Sequence, residues 1–170
     1  KDVTEQLDDY DLQKAIDLNP GNTQATALLS KLLIARSEAT AAVELLNRFL
    51  EVNPDKKWIE LHLAKAYCEQ GNHEEARQLL HKLSSGEQFA GAVHLMLGDI
   101  YWENGRMDQA LDEYRAMVLH SDDLLKKHPE LNIINEDEPD KTAIIAKFRE
   151  CIDAYSLNPF SLSPDFAING

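Results

Sequence analysis

A residue pattern that returns every 34 positions constrains this chain more than any other feature. Set out from Thr23, Lys57 and Gly91, three segments align without a gap, placing Leu29, Leu63 and Leu97 at one position and Ala42, Ala76 and Ala110 at another. A unit of this length cannot bury its apolar face alone and does so against copies of itself, so the period selects a repeat architecture before any local reading. Within each unit two helical patterns flank a break that carries Gly71 and Gly105, where glycine takes φ > 0 at little cost. The first unit has Ser37 there, for which we expect a different turn conformation or a serine cap. Small residues follow the shared leucine (Ser30, Ala64, Gly98), so the paired helices can approach closely. Leu33, Tyr67 and Tyr101 continue the face of the first helices, and Leu46, Leu80 and Tyr114 that of the second.

The periodicity predicts helices at about 5–18, 23–36, 39–52, 56–70, 73–83, 89–103 and 107–127. His128-Pro129-Glu130 then stops the pattern, and Asn135 to Asp140 forms an acidic, turn-prone connection. A further helix at 141–156 carries Ile144, Ile145, Phe148, Ile152 and Tyr155 in one apolar stripe. Composition agrees with an all-α domain: 44% of the 170 residues are apolar, and Ala and Leu outnumber the β-branched and aromatic types.

The unit length and these residues resemble the tetratricopeptide repeat family. Pro20 and Pro54, also 34 apart, stand where that family closes a unit with proline. The resemblance implies an all-α, right-handed α-solenoid of stacked helix–turn–helix repeats. We expect three repeats over 23–124 (23–56, 57–90, 91–124), preceded at 1–22 by the second helix of a truncated repeat. An acidic linker at 125–140 and a capping helix with tail at 141–170 complete the expected organisation. Departures from the family pattern are Thr26, Glu60 and His94 for its early tryptophan, Phe49, Leu83 and Met117 for its late small residue, and Gln88 and Asp122 for its closing proline. The bulkier late residues imply altered stacking between units.

Family geometry further implies that first helices line a concave groove with their non-core positions. These are Gln24, Ala27 and Lys31 in the first unit, Trp58, Leu61, His62, Lys65 and Cys68 in the second, and Leu95, Asp99 and Trp102 in the third. Neither tryptophan occupies the family's framework position, and a large ring in a groove is a typical anchor for a bound segment. One subset of the family clamps a terminal carboxylate with Lys, Asn and Arg. Here Ala27, Lys31, His62, Ala92 and Met96 occupy those places, which argues against that ligand and for a groove of mixed apolar and polar contacts.

The balance of 30 acidic to 17 basic residues, a net charge of −13, repels a phosphate backbone and argues against nucleic acid. The six histidines include no i, i+4 pair, Cys68 and Cys151 form no CxxC motif, and GxGxxG, phosphate-loop and GxSxG patterns are missing. No enzymatic activity, cofactor or metal is therefore expected. No apolar run approaches the roughly 20 residues of a transmembrane helix, so membrane insertion is not expected either. The chain begins at Lys1, which suggests a processed or excised piece and leaves room for a lost targeting segment; localisation stays open, with the cytoplasm slightly favoured. The expected role is a protein-interaction module that binds a peptide or protein segment in the groove. The alternative is a scaffold that self-associates as a homo-oligomer, through helix 141–156, or packs against other domains of a longer chain.

Overall fold

The computed structural model describes residues 8–132 and 141–154. Its α-helices are α1 (Asp9–Leu18), α2 (Thr23–Ala35), α3 (Ala39–Val52), α4 (Lys57–Gln70), α5 (His73–Leu83), α6 (Ala90–Glu103), α7 (Met107–Leu119), α8 (Asp122–Lys127) and α9 (Lys141–Ala154). Short 3₁₀ turns run over Glu87–Phe89 and Pro129–Asn132, and no strand occurs among the described residues. The protein is thus an all-α repeat fold. Positions 5–7 of the first expected helix, Tyr155 of the apolar stripe and the tail from 155 to 170 lie outside the described residues, as does 133–140 of the acidic linker.

Local chemistry sets the helix ends. Asp8 caps α1 by accepting from the Asp11 N–H at 2.9 Å, and Asn22 caps α2 by accepting from the Ala25 N–H at 3.0 Å. All three hairpin turns share one left-handed residue: Gly71 at φ 83°, Gly105 at φ 71° and Ser37 at φ 64°. After each, an N–H reaches back five residues to close the helix, from Glu38 to Leu33, Asn72 to Tyr67 and Arg106 to Tyr101, at 2.8–2.9 Å. The expectation that Ser37 would change the turn is therefore corrected: the hydrogen-bonded closure holds serine in the glycine conformation, at a steric cost of about 1–2 kcal/mol. A second correction concerns the predicted helix 107–127. It breaks at His120 and Ser121, whose N–H groups turn to the carbonyls of Met117 and Val118, three residues back, before α8 restarts.

The described residues form two compact units, which meet in the sequence between Leu79 and Leu80. In the first, α2 and α3 form a helical hairpin, α1 packs on α2, and α4 packs on both α2 and α3. Leu12, Ala25, Leu29 and Leu45 make one buried cluster of this unit. Ala27, Ala42, Leu46, Phe49, Ile59, Leu63 and Ala66 make another. Consecutive repeats are also tied through their closing loops, since the Asn53 side-chain amide donates to the Pro20 carbonyl at 3.3 Å.

In the second unit, α6 and α7 form a hairpin and α9 packs on α7 with Ile144, Ile145, Phe148, Cys151 and Ile152 buried. The third repeat has Tyr114 where the others have leucine, and it makes room by having Gly98 where they have Ser30 and Ala64. A Cβ on Gly98 would stand 2.8 Å from Cε1 of Tyr114. We expect Gly98→Ala to cost about 1–3 kcal/mol by overpacking. In a Tyr114→Leu background the same change should cost under about 1 kcal/mol; a double-mutant cycle in urea checks this, and additive costs would refute the pairing.

Candidate binding surface

In the first unit the expected ligand-facing residues come from α2 and α4. Gln24 and Lys31 are exposed, and Trp58, Lys65 and Cys68 are half-buried. Ala27, Leu61 and His62 are buried, with Leu61 and His62 at zero exposure. Their assignment to an open face is corrected, because an inner helix packed on two neighbours leaves only a narrow wet strip. His62 is built into the interior: Ser30 Oγ lies 3.3 Å from its Nδ1, and the Trp58 ring meets its own edge-on at 4.5 Å between centroids. Lys65 pairs with Glu69 one turn along α4 at 2.6 Å, a half-exposed contact of a few tenths of a kcal/mol.

Burial, reinforced by the Lys31 ammonium, pushes the His62 pKa down to about 3. The imidazole is therefore neutral at neutral pH, and Trp58 rests on an uncharged ring. The linkage has a definite sign. In the unfolded chain His62 takes up a proton below about pH 6.5, while the folded state refuses it until about pH 3, so stability drains away as pH falls through that window. At pH 5 we expect the loss from this group to be about 2 kcal/mol. Urea titrations at pH 7 and 5 should show a drop that shrinks by about that amount in His62→Gln; an equal drop in both proteins would refute it.

In the second unit the expected ligand-facing residues come from α6. Leu95 is buried, a further correction, whereas Asp99 and Trp102 are half-buried and brought together by a residue from α9. Arg149 Nη1 donates to Asp99 Oδ1 at 2.9 Å and to the Tyr114 hydroxyl oxygen at 2.9 Å. Tyr114 in turn donates to Asp99 Oδ1 at 2.5 Å, and the guanidinium lies 5.6 Å from the centre of the Trp102 ring. Burial first, and the Asp99 charge second, raise the Tyr114 pKa far above the usual phenol range, so the hydroxyl keeps its proton and remains a donor. Ser30, Tyr114 and Arg149 are not among the residues that family geometry puts on the surface. One sequence signal points to the second group: aligned on the period, the position of Asp99 holds Lys31 and Lys65 in the other repeats, a reversal of charge.

Among the described residues no cluster of His, Cys, Asp and Glu could hold a metal ion, and no helix is long and apolar enough to cross a membrane. Sequence models of the tetratricopeptide repeat match residues 33–92 and 92–118, adjacent stretches that together cover about half of the chain. Comparison with curated proteins finds no match. Similar solved structures include a thermophilic TPR protein in Thermus thermophilus, with a TM-score of 0.61 and 17% identity over 84% of this chain and 70% of that one. The crystal structure of MamA gives a TM-score of 0.58 and 15% identity over 86% of this chain and 88% of its own. These likenesses concern the fold. Proteins of this repeat type are in general non-enzymatic scaffolds with protein partners. From the 34-residue period, the shared hairpin turns and these matches, the chain belongs to the tetratricopeptide repeat family.

Proposed function

We propose that the chain binds a peptide or protein segment in the groove that repeats of this family line with their first helices. The observation that carries this reading is the setting of Trp58. Its ring is only half-buried although it rests edge-on against the neutral, fully buried His62. A large amphipathic ring fixed from below and wet above has few rotamers left to lose on binding, which favours it as an anchor. Exposed Gln24 and Lys31 and half-buried Lys65 supply polar contacts on the same helices, α2 and α4. Asp99 and Trp102 supply a second place on α6.

Pull-down with the intact chain, followed by affinity measurement on a retained partner, tests the reading. Trp58→Ala should weaken that partner about tenfold or more while far-UV circular dichroism stays the same. Unchanged affinity would remove Trp58 from the surface. The rival reading, a scaffold that self-associates through helix 141–156, draws less support, since five apolar residues of α9 are buried on the chain's own unit.

A further inference from the structure

The geometry points to Asp99, Trp102 and Tyr114 as an arginine-receiving cradle, filled in cis by α9, which a partner's amphipathic helix carrying a Phe-Arg pair takes in trans. The inference rests on the reading of first helices as docking surfaces, because Asp99 and Trp102 belong to that set. Three contacts of different chemistry converge on one guanidinium: a carboxylate at 2.9 Å, a phenol oxygen at 2.9 Å and an indole ring at 5.6 Å. A planar, delocalised cation satisfies all three at once, whereas a lysine ammonium could not stack and bridge together.

The cradle is particular to the third repeat. Its aligned counterparts are Lys31, Ile34 and Leu46 in the first repeat and Lys65, Cys68 and Leu80 in the second, sets that would repel or ignore an arginine. The occupant is also specified by what now sits there. Phe148, next to Arg149 on α9, lies nearly parallel to the Tyr114 ring at 6.2 Å and 19°, so an aromatic residue and an arginine are read side by side on one helix. Ile144, Ile145 and Ile152 extend the seat along the same helix. Exchange need not open the repeat itself: the side chains of Arg149 and Asp99 are 37% and 42% exposed, and the ion pair of Lys141 with Asp108, at the start of α9, lies at the surface. The chain's charge of −13 draws a basic partner towards it.

The test uses the full chain and a fluorescein-labelled peptide with the sequence of residues 141–154. The Arg149→Ala chain, whose own helix holds less firmly, should bind this peptide about tenfold or more tighter than the wild type does. Adding Asp99→Asn to that chain should erase the gain, and an Arg149→Ala peptide should bind about tenfold or more weaker than the unaltered one, with circular dichroism confirming that each chain is folded. Equal binding to wild-type and Arg149→Ala chains, or full binding of the Arg149→Ala peptide, would overturn the cradle. So would a wild-type dimer in light scattering that Arg149→Ala dissolves, because a second copy would then be the occupant. If the peptide result fails while Trp58→Ala still weakens a captured partner, the cradle falls and the docking reading stands. If the peptide result holds while Trp58→Ala changes nothing, the anchor falls and the cradle stands.

Discussion

Phe148→Ala is expected to release α9 from the second unit. Phe148 has no solvent exposure, and truncating a buried phenylalanine removes about 3–5 kcal/mol of packing. Its ring also lies parallel to that of Tyr114, so the truncation leaves a void beside the residue that orders Asp99 and Arg149. In a stack of repeats the loss falls mainly on the nearest interface. Because α9 packs on α7 with Phe148 at the centre of its buried face, a loss of this size is expected to undock the helix before the repeats unfold. The measurement is native-state hydrogen exchange. Amides of α9 should lose protection by about 100-fold or more, while those of α2 and α3 keep theirs. A uniform fall across all helices would show that α9 and the repeats unfold as one, and an unchanged α9 would show that Phe148 contributes little to its seat.

The framework was legible because its period repeats the same physical demand three times. Leu29, Leu63 and Leu97 are all buried, and Ala42, Ala76 and Ala110 are all at zero exposure. What the pattern concealed was conformational. Ser37 enters the left-handed region because the hydrogen bond from Glu38 to Leu33 demands it, and no propensity of serine announces that. The break after α7 was hidden for a similar reason: apolar residues continue through Val118 and Leu119, but Leu119 points into water at 68% exposure and the ladder tightens at His120.

The surface was harder to read than the core. A helical wheel gives the angle at which a residue leaves its helix and says nothing about how many neighbours the helix has. That angle alone puts Leu61, His62 and Leu95 on a wet face, and neighbouring packing buries them. The contact that joins Asp99 and Trp102 comes from Arg149, 50 residues beyond Asp99 and outside the repeat, where no periodicity operates. Comparing repeats with one another is the better guide. In the third repeat Asp99 and Tyr114 replace the lysine and leucine that the other two share, and these two are hydrogen-bonded to each other beside Gly98.

Leu63→Ala is the corresponding test of the shared seam. Leu63 of α4 belongs to one buried cluster with Ala27 of α2 and with Ala42, Leu46 and Phe49 of α3, where three helices of the first unit meet. Two of those neighbours are alanines, which have no side chain long enough to swing into a vacated site, and Phe49 is itself buried and fixed. The void should therefore persist, and the cost should lie in the range of about 2–5 kcal/mol typical of leucine truncations in rigid cores. Val52→Ala is a suitable control, since Val52 lies on α3 at 68% exposure and should change stability by under about 0.5 kcal/mol. Urea titration of both variants by circular dichroism decides the matter. Leu63→Ala should lower the transition midpoint far more than the control. Equal midpoints would mean that the leucine repeated every 34 residues does not hold the hairpins together.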